Sequence, residues 1–242
     1  MQSIPEIGIR EFKKFSLRGA SIIDGFPSVG SINAIVATYL VSSLNLDQIA
    51  ALDSEDFPPI SMIYDSKPKF PARIYARSDL ADFVAEFAPH ARLFRSIARA
   101  MIEWGKQNQC VRIVTSLGVP YGTGEAVPEV YSVASTEQGR KLLEKAGVPQ
   151  VKMGIIPGIA GVLLNEGRWN QFEVIALVTQ TRDDVPDARA AARILETMVK
   201  LLPSLHIDLK PLYQEAEKIE SALKTLRQQT KPMEESISRV YG

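Results

Sequence analysis

Residues 19–44 read GASIIDGFPSVGSINAIVATYLVSSL, and this stretch decides the fold class. "GASIIDGF" (19–26) is a short apolar run flanked by glycine, which fits a strand buried on both faces. "VGSINAIVATYLVSSL" (29–44) changes period. Val29, Ile32, Ile35, Val36, Tyr39 and Leu40 recur at three- and four-residue spacing, the stripe of a helix. A buried strand that turns at once into an amphipathic helix is the unit of an α/β fold.

The same alternation continues along the chain. "DQIAALD" (47–53) reads as a second strand. Segment 57–87 is rich in proline and in β-branched and aromatic residues, so it predicts short strands and loops. Pro89 is expected to open a helix in its first turn. That helix runs to about Gln107 with Leu93, Phe94, Ile97, Met101 and Trp104 on one face. "CVRIVTSLG" (110–118), "VYSVAS" (130–135) and "FEVIALVTQT" (172–181) predict strands. "TEQGRKLLEKAG" (136–147), "PGIAGVLLNEGRWN" (157–170) and "PDARAAARILETMVKLL" (186–202) predict helices, and a last helix runs from about Pro211 to Gln229. The expectation is one α/β domain over residues 1–229. It should be a three-layer α/β/α sandwich around a mainly parallel or mixed sheet. Residues 230–242 form a polar tail interrupted by Pro232.

Composition narrows the partners. The 242 residues carry 28 Lys plus Arg and 28 Asp plus Glu, so no basic surplus exists to neutralise nucleic acid. The longest apolar run, 154–164, is too short to span a membrane and is broken by Pro157. The start of the chain lacks the basic and apolar segments of a signal peptide. One cysteine, Cys110, excludes an internal disulfide and suits a reducing compartment. The expected location is the cytoplasm, with neither membrane nor nucleic acid as partner.

Motifs for catalysis are sparse. "GFPSVGSI" (25–32) places Gly25, Gly30 and Ser31 as a phosphate loop would, but the lysine is missing. The alternative is a tight strand-to-helix turn that needs glycine. Gly122 and Gly124 form a second glycine turn, a ligand loop or a subunit contact. Asp53, Glu55 and Asp56 gather in an acidic loop, which reads as solvated rather than metal-binding. Asp183, Asp184 and Asp187 sit where they would cap a helix. His90 and His206 are far apart, and neither they nor Cys110 have metal-site spacing. No catalytic residue, metal or cofactor is expected.

The terminus is the exception to this plainness. Val240, Tyr241 and Gly242 place an apolar side chain and an aromatic ring beside the terminal carboxylate. Before them, Leu212, Ala216, Ile219, Leu223 and Leu226 follow 4-3-4-3 spacing, a seam for the chain's own domain or for a neighbouring subunit.

Together "GFPSVGSINAIVATYL", "PARIYA", "PGIAGVLLNEG", "VPDARAAARIL" and "LKPLYQEAEKIE" resemble the proteasome assembly chaperone two family in its archaeal branch, over about residues 17–228. The resemblance implies a purine nucleoside phosphorylase-like sandwich, homo-oligomers, no catalysis, and a role in building the proteasome core particle. It also implies a hydrophobic-Tyr-any terminus, matched by Val240, Tyr241 and Gly242. That tip would enter pockets between α subunits of the 20S core particle. The rival expectation is an enzyme acting on a nucleoside or phosphate-bearing ligand at 25–31 and 121–124.

Overall fold

A computed structural model describes residues 6–120, 129–181 and 186–214. Its frame is an eight-stranded sheet. The strands are β1 (Gly8–Glu11), β2 (Ser21–Gly25), β3 (Asp47–Asp53), β6 (Ala72–Arg77), β7 (Leu80–Ala85), β8 (Arg112–Pro120), β9 (Val130–Ala134) and β10 (Glu173–Thr181). A separate hairpin pairs β4 (Met62–Tyr64) with β5 (Lys67–Lys69). The order in the sheet is β1-β3-β6-β7-β2-β8-β10-β9. The central pairings β7–β2, β2–β8 and β8–β10 are parallel, and the outer ones are antiparallel. The sheet is therefore mixed, not mainly parallel. The tight β6–β7 hairpin pairs antiparallel, whereas β2 and β7, far apart in the chain, pair in parallel.

Helices α1 (Ile32–Ser43), α2 (Phe94–Gln107), α3 (Glu137–Lys145), α4 (Gly158–Trp169) and α5 (Ala188–Leu201) cover both faces. One core packs α2 and α4 on Ile22, Ile74, Phe83, Ile113 and Val174. The other packs α1, α3 and α5 on Ile23, Val114, Ile175 and Leu177. Adjacent strand residues thus feed opposite cores. That is why β2 and β10 had to be apolar almost throughout. The α/β/α sandwich expected from the sequence is the one observed.

Two helices begin later than the sequence suggests. Gly30 (φ +67°) and Ser31 (φ +54°) are left-handed, so 29–31 is a separate turn and α1 starts at Ile32. Pro89 does not open its helix. His90 is extended and its Nδ1 accepts from the Arg92 N–H at 3.3 Å, capping a short 3-10 turn ahead of α2. Thr136 and Asp187 cap α3 and α5, accepting from Gly139 and Ala190. Asp183 and Asp184 lie outside the described residues, as does the seam beyond Leu212. Leu212 itself is buried in the α1–α5 core. Edge strand β1 was not foreseen. It is four residues long and shows only the alternation of Ile7 and Ile9 towards the core.

Candidate functional site

The connection after β2 crosses one face of the sheet through α1, and the connection after β7 crosses the other through α2. In open α/β sheets a ligand crevice forms at the carboxyl ends of neighbours that diverge in this way. Gly25, Gly30 and Ser31 occupy that place. The turn's inward N–H does not face an open phosphate cradle.

Gly25 is required by closeness. A Cβ on it would lie 2.4 Å from the Ala37 Cβ and 2.4 Å from the Phe83 carbonyl oxygen. The turn's Phe26 N–H donates to Asp24 Oδ1 at 3.0 Å. Asp24 Oδ2 accepts from Thr115 Oγ1 at 2.7 Å and from the Asn33 amide at 3.4 Å. Asn33 Oδ1 in turn accepts from the Ser116 N–H at 3.0 Å and from the Ser116 hydroxyl. This network ties β2, α1 and β8 together beneath the turn. The N–H group that the turn directs inward is thus taken by the protein's own carboxyl group.

Burial pushes the Asp24 carboxyl up to about 6, against the hydrogen bonds from Thr115 and Phe26, which lower it. Next to it on β7, Asp82 is completely buried, and neither of its carboxyl oxygens has a hydrogen-bond partner. Burial, and then the neighbouring Asp24 charge, raise its carboxyl well above the usual range. A second negative group would be repelled here.

The other candidates resolve individually. Gly122, Gly124, Val240, Tyr241 and Gly242 lie outside the described residues. Asp53 pairs with Arg10, and Asp56 pairs with Arg92. Among the described residues no group of His, Cys, Asp and Glu is placed to hold a metal ion. Cys110 is a core residue, and burial pushes its thiol up to about 12, so it is no nucleophile at neutral pH. His206 Nδ1 donates to the Ser204 carbonyl oxygen at 3.0 Å, far from His90 in the chain. Among the described residues no helix is long and apolar enough to cross a membrane.

The same sheet edge exposes apolar side chains. Met153 is 95% exposed and Ile155 91%. The next residue, Ile156, packs against Leu117 and Val178 near the ends of β8 and β10, which holds the loop at this edge. Val29 and Val119 are also exposed there. Sequence reading missed this patch because "KMGII" looks like any apolar run.

The sequence profile of the PAC2 family matches residues 22–227. The uncharacterized protein MJ0106 of Methanocaldococcus jannaschii is 26% identical over 96% of this chain and 95% of its own. Among solved structures, Pyrococcus furiosus PbaA is described as an archaeal homolog of proteasome-assembly chaperone. It superposes with a TM-score of 0.83 at 28% identity, covering 98% of each chain. Pyrococcus furiosus PbaB, described as an archaeal proteasome activator, has a TM-score of 0.78 at 22% identity, over 92% of this chain and 99% of its own.

Proposed function

This chain belongs to the PAC2 family, and from that membership we propose that it is an ATP-independent assembly chaperone or regulator of the 20S proteasome. It works in the cytoplasm, and it engages core-particle α subunits through Val240, Tyr241 and Gly242 at the end of a tail that begins near residue 230. The observation that carries this reading is the match to PbaA over 98% of both chains. The buried Asp24 network supports a role without catalysis, because the one phosphate-loop-like turn among the described residues donates to an internal carboxyl group. A pull-down of 20S α subunits tests the proposal. The chain ending at Gly242 should retain them, and the chain lacking 240–242 should not. Equal retention by both would exclude the tip as the contact.

A homo-oligomer completes the reading. Met153 and Ile155, two residues apart on one loop, expose nearly their whole apolar side chains. Met153 and Ile155 suit a contact with a second copy, which would also bring several tips to one target. Met153→Asp together with Ile155→Asp should yield a smaller species by light scattering while leaving the circular dichroism spectrum intact. An unchanged mass would place the subunit contact elsewhere.

A further inference from the structure

We infer that a recess between α1, β6, β7 and the β4–β5 hairpin binds a small carboxylate carried on one aromatic ring or a branched chain of similar size. The recess is about 150 Å³. A cavity of that size accepts a benzene-sized body. It shares no lining residue with the glycine turn.

Its inner wall is fixed before any ligand arrives. The Arg73 side chain is 3% exposed, and three groups hold it. Nη2 donates to Glu86 Oε1 at 2.5 Å, Nη1 to the Phe70 carbonyl at 2.6 Å, and Nε to the Tyr75 hydroxyl at 3.1 Å. The Tyr64 hydroxyl donates to the same Glu86 oxygen at 2.6 Å. The guanidinium carbon lies 5.4 Å from the Tyr64 ring centroid and 5.8 Å from that of Tyr75. A hydrogen-bonded arginine between two aromatic rings is a rigid surface, and rigidity lowers the ordering cost of binding.

Charge selects the ligand. Arg73 is balanced by Glu86. Lys69 is not balanced. Its ammonium lies 5.3 Å from the Tyr64 ring centroid and makes no salt bridge among the described residues. The recess therefore carries one surplus positive charge at its edge. One carboxylate matches that surplus. A phosphate ester would bring nearly two negative charges beside Glu86 and fit less well. Val41 and Val84, with the rings, give the apolar body its contacts, and the Thr38 hydroxyl lines the rim.

Two sources share this chemistry, a free small acid and the end of a polypeptide. Titration calorimetry of the full chain with 4-hydroxyphenylacetate and with N-acetyl-Tyr-Gly separates them. Saturable one-to-one binding of the first alone assigns a free acid, and tighter binding of the second assigns a chain end. Lys69→Met, on an exposed hairpin, should weaken binding about tenfold, and phenyl phosphate should bind more weakly than the carboxylate. Thr38→Trp should fill the recess and remove binding, with an unchanged melting temperature confirming the fold. Absence of binding by both probes up to about 10 mM overturns the inference. So does undiminished affinity in Lys69→Met.

Discussion

Adding a single alanine after Gly242 is expected to weaken core-particle binding almost as far as deleting Val240, Tyr241 and Gly242. The extension keeps every side chain of the tip. It moves only the carboxylate, by one residue or about 3.5 Å. In recognition of a chain end, the carboxylate is captured by a cation or a nest of N–H groups in a concave pocket, and charge-assisted bonds of this kind are the strong ones. Displacing it also forces an uncharged peptide group into the place built for it. A loss of about 1.5–3 kcal/mol per tip is about 10- to 150-fold in affinity. In the proposed homo-oligomer several tips would bind together, so the losses would compound and avidity would fall further. Tyr241→Ala should act similarly by removing the ring the proposed contact would bury, and Tyr241→Phe should isolate the hydroxyl. Biolayer interferometry on immobilised core particles reads all three. Native binding by the extended chain would rule out carboxylate capture. If the deletion still abolished binding, the side chains alone would remain as the contact.

The strand–turn–helix at 19–44 was legible because its constraints are local. A strand buried on both faces leaves little room for polar residues, and a helix covering it must carry a stripe. The mixed character of the sheet was less legible. It depends on which strands the hairpins of 57–87 bring together, a matter of pairing rather than of period. The Asp24 network was not legible at all. One aspartate in "SIIDGF" gives no sign of its partner Thr115, 91 positions away. The recess around Arg73 is assembled from α1, the β4–β5 hairpin, β6 and β7. No short motif spans four separate stretches, so it could be found only in three dimensions. For Gly25 the structure gives a steric reason for glycine that the sequence could not show: Ala37 and Phe83 leave no space for a side chain.

Asp82→Asn should stabilise the protein at pH 8, whereas Asp24→Ala should destabilise it at acid pH. The two carboxyl groups are neighbours and both are buried, yet their surroundings differ. Asp24 accepts from three donors, the Phe26 N–H, the Thr115 hydroxyl and the Asn33 amide. Truncating it leaves those donors buried and unpaired, a loss of about 2–4 kcal/mol. Asp82 has no partner to lose. Both carboxyl groups are raised in the folded protein, Asp24 to about 6 and Asp82 in the same direction. Each therefore binds its proton more tightly in the folded chain than in the unfolded one. Stability from this source is complete below the unfolded value of 3.8 and declines as pH rises through the folded value. For Asp24 the decline amounts to about 3 kcal/mol between pH 4 and 6. Asp82 adds a decline of the same sign. Removing the ionisable group at Asp82 cancels its share, giving roughly 1–3 kcal/mol at pH 8. That corresponds to a rise of about 2–4 °C in melting temperature per kcal/mol for a chain of this size. Asp82→Val, which also removes the polar atoms, should gain more. Thermal melts at pH 5 and pH 8 decide the matter. The gap between Asp82→Asn and the native chain should be small at pH 5 and widen towards pH 8. A lower melting temperature for both Asp82 variants at pH 8 would mean that this carboxylate is held by a favourable contact, and that its burial serves stability after all.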